Sequence, residues 1–146
     1  MSKKRMYNGI YGLSTGIIVC VIGIFRTFLP YLEINPKLYT FLLLISSMLG
    51  SIVAVATIIF RNFSFAETII HFVSLFFSLV LCFVVGSFLK IWTALLELLI
   101  ADPPSGSDNL SGLLFVTYFI VIVIVAMFTI IIKGISATIK KITGNR

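Results

Sequence analysis

Four long stretches of this chain contain no Lys, Arg, Asp or Glu, and no other feature limits its fold as strongly. They cover residues 6–25, 38–60, 68–89 and 109–132. Each can cross the hydrocarbon core of a bilayer, for which a helix needs about 20 apolar residues. Of the 146 residues, 60% are hydrophobic and 11% are charged, whereas about a quarter of a soluble domain is charged. The chain is therefore predicted to be an integral membrane protein.

Natural breaks in the sequence extend these stretches to four predicted spans. The spans cover about 7–29, 38–60, 66–89 and 110–132, within a single transmembrane domain over 1–146. Pro30 and Pro36 bracket the first connection, and Pro103-Pro104 interrupts the third. The expected fold class is all-α: an integral membrane four-helix bundle with both termini on one side.

The charges predict which side faces the cytoplasm. One side carries eight basic residues and one acidic residue, Glu67, whereas the other carries three basic and four acidic residues. Because Lys and Arg are enriched in cytoplasmic segments, we expect a multi-pass protein of the inner membrane with cytoplasmic termini. The three basic residues assigned to the outer side are Arg26, Lys37 and Lys90. Tyr118 fits an interfacial position poorly, because it lies about two turns into the fourth span.

Two segments outside the spans are expected to form short interfacial amphipathic helices. Over 88–100, Lys90, Thr93 and Glu97 share one helical face, and apolar residues cover the rest. The C-terminal tail has an apolar stripe beside its lysines and is expected on the anionic cytoplasmic surface, unless it is a frayed end of the fourth span. This stripe consists of Ile135, Ile139 and Ile142.

Small residues recur at helical spacing in the first two spans. In lipid, such faces let two backbones approach closely, which predicts tight helix packing and a homo-oligomer. In the first span the face contains Gly12, Gly16 and Gly23. In the second it contains Ser47, Ser51 and Ala54, or alternatively Ser46, Gly50, Ala54 and Thr57.

The third span carries a polar stripe formed by Glu67, His71, Ser74 and Ser78. One interpretation is a proton or ion path, because His71 titrates near neutral pH and Glu67 lies one turn away. The other interpretation is structural. Ser64-x-x-Glu67 matches a capping box, Arg61 is available to pair with Glu67, and the remaining residues would then serve helix packing.

Motifs for chemistry on a substrate are absent from the sequence. There is no phosphate-binding glycine loop, no His/Cys pair at metal-ligand spacing and no pair of catalytic carboxylates. Cys20 and Cys82 both lie inside spans, where they are expected to be packing residues. We therefore expect no enzyme activity and no cofactor or metal. The basic residues lie at span ends, which also argues against direct nucleic-acid binding.

Four spans, cytoplasmic termini and almost no soluble mass resemble the membrane subunits of two-gene phage-defence systems of the Kiwa KwaA type. This resemblance implies an inner-membrane sensor that forms a homo-oligomer and is coupled to a soluble cytoplasmic effector. The sequence favours a non-enzymatic subunit, a sensor or anchor that contacts a partner protein through its cytoplasmic basic surface. The alternatives are a pore or permeability protein, such as a holin or ion channel, and an immunity protein or small transporter. The basic surface consists of Arg61, Lys133, Lys140 and Lys141.

Overall fold

The structure of the protein, a computed structural model, describes residues 3–31, 34–88 and 107–144. These ranges contain four α-helices: α1 over Lys3–Phe28, α2 over Pro36–Phe60, α3 over Phe65–Phe88 and α4 over Ser107–Thr143. All four are long and apolar enough to cross a membrane, which agrees with the number of spans predicted from the sequence. The predicted interfacial helix over 88–100 lies outside the described residues except for Phe88, the last residue of α3.

The connection between α1 and α2 ends with a capping residue followed directly by a proline. A 3₁₀ turn over Leu29–Tyr31 follows α1. Asn35 caps α2, and its side-chain oxygen accepts a hydrogen bond from the backbone N–H of Lys37 at 2.9 Å. Pro36 occupies the first helical position, where its fixed φ suits the helix and its missing N–H costs nothing. The helix therefore begins at the second of the two prolines that bracket this connection.

A tight turn at residues 61–64 reverses the chain between α2 and α3. Phe63 donates its backbone N–H to the carbonyl of Ile58, and Asn62 donates to Ile59, both at 3.1 Å. These are the two hydrogen bonds of a Schellman motif. Asn62 has a φ of 47°, a left-handed conformation that a short polar side chain tolerates better than most. The turn places the end of α2 beside the start of α3.

Both hydrogen bonds of the predicted capping box are present at the start of α3. The carboxylate of Glu67 accepts the backbone N–H of Ser64 at 2.8 Å, and the hydroxyl of Ser64 accepts the backbone N–H of Glu67 at 3.4 Å. Two N–H groups that the helix itself cannot satisfy are thereby paired. One member of the polar stripe thus has a structural role.

The four helices do not contact one another equally. α1 packs most extensively against α3 and also contacts α2 and α4, whereas α2 and α3 contact each other least. α1 is therefore the helix around which the other three are arranged. The buried apolar core draws on all four helices and includes Val19, Ile58, Leu75, Leu79 and Ile122.

α4 continues well beyond the predicted end of the fourth span. It runs without interruption to Thr143, so the tail is neither a separate interfacial helix nor a frayed end. Gly134 is the last α4 residue whose packing against another helix the structure describes, with the ring of Phe65 about 3.3 Å from where a Cβ would lie. From Ile135 to Gly144 every residue is exposed. The last turns of α4 therefore project past the other helices.

Candidate functional site

The small residues of α1 lie directly against α3. A Cβ at Gly12 would overlap the backbone carbonyl of His71, and one at Gly16 would lie 2.7 Å from the carbonyl of Leu75 and 2.7 Å from the Cβ of Ser78. Such distances are shorter than real Cβ contacts, so this approach requires glycine. These glycines therefore join two helices of one chain.

The polar stripe of α3 faces this contact. Ser74 lies opposite Gly12, and Ser78 is buried opposite Gly16. Because Glu67 belongs to the helix cap, three of the four stripe residues take part in packing or capping. Only His71 has surroundings that packing does not fully explain.

His71 is completely buried among aromatic rings and a backbone carbonyl. The rings of Phe63 and Phe72 meet the imidazole edge-on, each with its centroid 5.7 Å away. Nε2 lies 3.3 Å from the carbonyl oxygen of Ala54, which can only accept, so Nε2 carries the hydrogen in this contact. Nδ1 has no hydrogen-bond partner within the described residues. His71 therefore bridges α3 to α2 with one nitrogen and leaves the other unpaired.

A groove of about 520 Å³ opens beside His71, at the end of the molecule that holds the α2–α3 turn. We call it the turn-end groove, and its walls come from α1 and the turn: Tyr7, Asn8, Tyr11, Arg61 and Phe63. The guanidinium of Arg61 lies over the ring of Tyr11, 4.1 Å from its centroid, which is a close cation–π contact. Arg61 thus contacts α1 in this groove.

Phe63 separates the groove from His71. Its ring lines the groove on one side and contacts the imidazole on the other, while only 4% of its surface is exposed. A proton or ion moving between the groove and His71 would have to displace this ring. In the conformation described here, His71 is closed off from the groove.

Arg26 forms a second polar cluster, which the sequence reasoning missed. Its side chain is 8% exposed and reaches across from the end of α1 to α2 and α4. One amino group donates to the hydroxyl of Ser47, and the other donates to that of Thr117 at 3.4 Å. Both acceptors are neutral, and Nε has no partner among the described residues. The signal that could have located this site is an arginine inside an apolar segment, which normally faces the interior of a helix bundle.

Tyr118 lies between α1 and α2, one residue after the threonine that Arg26 contacts. Its hydroxyl donates to the backbone carbonyl of Val19 at 3.0 Å, and its ring lies against Gly23. A Cβ at Gly50 would overlap the Tyr118 hydroxyl. Gly23 therefore packs against α4, whereas Gly12 and Gly16 pack against α3. Tyr118 is therefore a buried packing residue of the bundle core.

The structure buries the second of the two α2 faces that the sequence left open. The buried residues of α2 are Ser46, Gly50, Ala54 and Ile58. Ser47 and Ser51 are half-buried beside this face. The hydroxyl of Ser51 bonds to the backbone of its own helix, and that of Ser47 does so while also accepting from Arg26. Ser47 is therefore a polar contact of Arg26 more than a close-packing position.

The four predicted basic-surface residues lie on two parts of the structure, the α2–α3 turn and the C-terminal half of α4. Arg61 lines the turn-end groove, and Lys133 is half-buried near the last contact of α4. Lys140 and Lys141 lie fully exposed on the projecting end of α4.

Two further features bear on chemistry. Within the described residues, no three His, Cys, Asp or Glu side chains are grouped closely enough to hold a metal ion. Cys20 is a buried core residue of α1 that packs beside Cys82 of α3, and both are free thiols.

Comparison with protein-family models, curated proteins and solved structures finds no match to this chain.

Proposed function

We propose that this chain is a non-enzymatic subunit of the inner membrane. It acts as a membrane sensor or as an anchor for a soluble cytoplasmic partner protein. In this proposal the four helices form a membrane-embedded bundle with both termini in the cytoplasm. The observation that carries it is the projecting end of α4, because a helix that stops contacting its neighbours is available to another protein. The phage-defence resemblance would make that partner a cytoplasmic effector.

Helix length supports a projection beyond the membrane. The 37 residues of α4 span about 56 Å at 1.5 Å per residue, whereas the hydrocarbon core is about 30 Å thick. The other three helices have 24 to 26 residues and lengths of about 36 to 39 Å. Even a tilted α4 would leave several turns outside the hydrocarbon core, at its basic end if the termini are cytoplasmic.

The residue pattern of the projecting end indicates what it would bind. Lys133 and Lys140 are two helical turns apart on one side, and Lys141 adjoins Lys140. The exposed isoleucines Ile135, Ile139 and Ile142 lie on the opposite side. An amphipathic basic helix of this kind suits a groove with an apolar floor and acidic walls. The proposed partner therefore carries such a groove on an acidic surface.

The proposal includes assembly of several copies in the membrane. Gly12 and Gly16 are already covered by α3, so a contact between copies would use the outward faces of the helices. The native mass of the detergent-purified protein tests this part of the proposal. A strictly monomeric mass in mild detergent and in lipid nanodiscs would contradict it.

Charge reversal on α4 tests the docking role. Tagged protein would be purified from its native membranes as wild type, as the triple variant Lys133→Glu, Lys140→Glu, Lys141→Glu, and as the control Lys37→Glu. We expect one soluble acidic protein to be retained by the wild type and the control, lost from the triple variant and released by high salt. Equal retention by the triple variant, or no retained protein with wild type, would refute the docking role. Membrane insertion must be unchanged in every variant.

Cysteine labelling tests the topology separately. In a variant lacking Cys20 and Cys82, single cysteines at Ser2 and Asn145 should resist an impermeant thiol reagent in intact cells. A single cysteine at Ser107, by contrast, should react. The reverse pattern would place both termini outside.

A pore is the second candidate function, because several buried polar nitrogens are unpaired. In the described part of the chain these are Asn8 Nδ2, Arg26 Nε and His71 Nδ1. If they mark a hydrated path, Phe63→Ala should increase ion flux in liposomes by opening His71 to the groove, and His71→Ala should abolish that flux. If the docking proposal holds, neither variant conducts and partner retention is unchanged.

A further inference from the structure

The turn-end groove is a built cavity with more hydrogen-bond donors than acceptors. Arg61 contributes a guanidinium, Tyr7 and Tyr11 contribute hydroxyls, and Asn8 contributes a side-chain amide. Asn8 is 4% exposed, and its amide nitrogen has no hydrogen-bond partner among the described residues. A buried N–H group without a partner is costly, and it favours a ligand that can accept from it.

Arg61 brings a cationic fork to the groove. Its guanidinium lies 4.1 Å from the centroid of the Tyr11 ring, while the residue as a whole stays exposed. A planar guanidinium can donate two parallel hydrogen bonds to a phosphate. Glu67, at the same end of the molecule, uses its carboxylate to cap α3. The described walls of the groove therefore carry positive charge and no carboxylate.

The groove also lies where lipid headgroups would be found. It lies beside the first turns of the apolar stretch of α1, which begins at Tyr7, and just after the end of α2 at Phe60, and two tyrosines line it. Tyrosine is enriched at the level of the headgroups.

We propose that the turn-end groove binds the phosphate group of an anionic phospholipid, with Arg61 and Asn8 as its hydrogen-bond donors. The volume of about 520 Å³ is within the usual range of small-molecule sites and would hold one headgroup. Phe63 forms an apolar wall of the groove, against which the glycerol part of the lipid would pack. The ligand shares its phosphate with soluble phosphate compounds, so the test separates the two sources. The site requires membrane insertion but not the cytoplasmic partner.

Native mass spectrometry tests this site directly. Protein reconstituted with equal amounts of phosphatidylglycerol and phosphatidylcholine would be released from detergent, and the retained lipids would be counted. We expect wild type to retain one phosphatidylglycerol per chain in preference to phosphatidylcholine. Arg61→Gln and Asn8→Leu should each retain it about tenfold less well, because each removes a donor to the phosphate. The control Lys37→Gln removes a positive charge at the opposite end and should match wild type.

Three outcomes would overturn the proposal. One is equal retention of both lipids by wild type, and another is equal loss of lipid in Lys37→Gln. The third is displacement of the bound lipid by 10 mM inorganic phosphate together with thermal stabilisation by phosphate alone, which would assign the site to a soluble anion. Asn8→Leu must keep the wild-type helix content, and Arg61→Lys serves as a second variant that keeps the charge but loses the planar fork. Loss of the partner protein without loss of lipid would refute only the docking proposal.

Discussion

Gly16→Ala tests the close contact between α1 and α3, and Gly9→Ala is its matched control. Both glycines lie on the α3-facing side of α1. A Cβ at Gly9 would be 3.5 Å from the Ser74 hydroxyl, an ordinary contact, whereas a Cβ at Gly16 would be 2.7 Å from the Leu75 carbonyl. Because that carbonyl belongs to a helix backbone, it cannot rotate away as a side chain would. The helices must therefore separate by roughly 0.7 Å to restore a 3.4 Å contact.

The expected cost follows from this separation. A gap of 0.5 to 1 Å forfeits about a quarter to a half of the dispersion energy of the contacts involved, and overpacking typically costs about 1–3 kcal/mol. Replacing Gly by Ala gains about 1 kcal/mol in helix propensity, but both variants share this gain. Gly16→Ala should therefore be about 1–3 kcal/mol less stable than Gly9→Ala.

Unfolding in mixed detergent micelles, followed by circular dichroism, measures that difference. Wild type and both variants would be titrated with SDS under identical conditions. We expect Gly9→Ala to unfold at an SDS midpoint equal to or above that of wild type. Gly16→Ala should unfold at a lower SDS midpoint than Gly9→Ala. If the two alanine variants unfold together, α1 and α3 do not approach each other at Gly16 as described, and the packing argument fails.

Three further predictions concern the polar cluster around Arg26, the buried Tyr118 and the turn between α2 and α3. Ser47→Ala should destabilise the fold by about 1–3 kcal/mol because it removes one of the two hydroxyl acceptors of Arg26, but should cost little when combined with Arg26→Met. Additive costs in an SDS-unfolding double-mutant cycle would contradict this. Tyr118→Phe should cost about 0.5–1.5 kcal/mol by removing the hydrogen bond to Val19, and an unchanged unfolding midpoint would argue against that bond. Asn62→Val should lower the free energy of unfolding by about 1–2 kcal/mol because a β-branched residue resists a φ of 47°, whereas Asn62→Gly should leave it unchanged. Equal SDS-unfolding midpoints for the two variants would rule out the left-handed turn.

Local sequence signals predicted the helices and several of their ends. Charge-free runs predicted four helices long and apolar enough to cross a membrane, because a membrane-crossing helix must be apolar over its whole length. The capping box at Ser64 and Glu67 could be recognised because it depends only on residues three apart. The glycine face of α1 was likewise visible as a spacing of four residues. Each of these features depends only on residues within a single turn or a single helix.

The tertiary structure decided which helix each of these faces meets. Two faces of α2 were equally plausible from spacing, and the burial of Gly50 depends on Tyr118, 68 positions later in the chain. Arg26 was counted among outer-side charges, yet its guanidinium is buried because hydroxyls 21 and 91 residues away accept from it. The end of α4 projects because its neighbours stop first, which the local hydropathy of α4 cannot reveal. Helical periodicity fixes which residues share a face, but only the packing of separate segments determines what that face contacts.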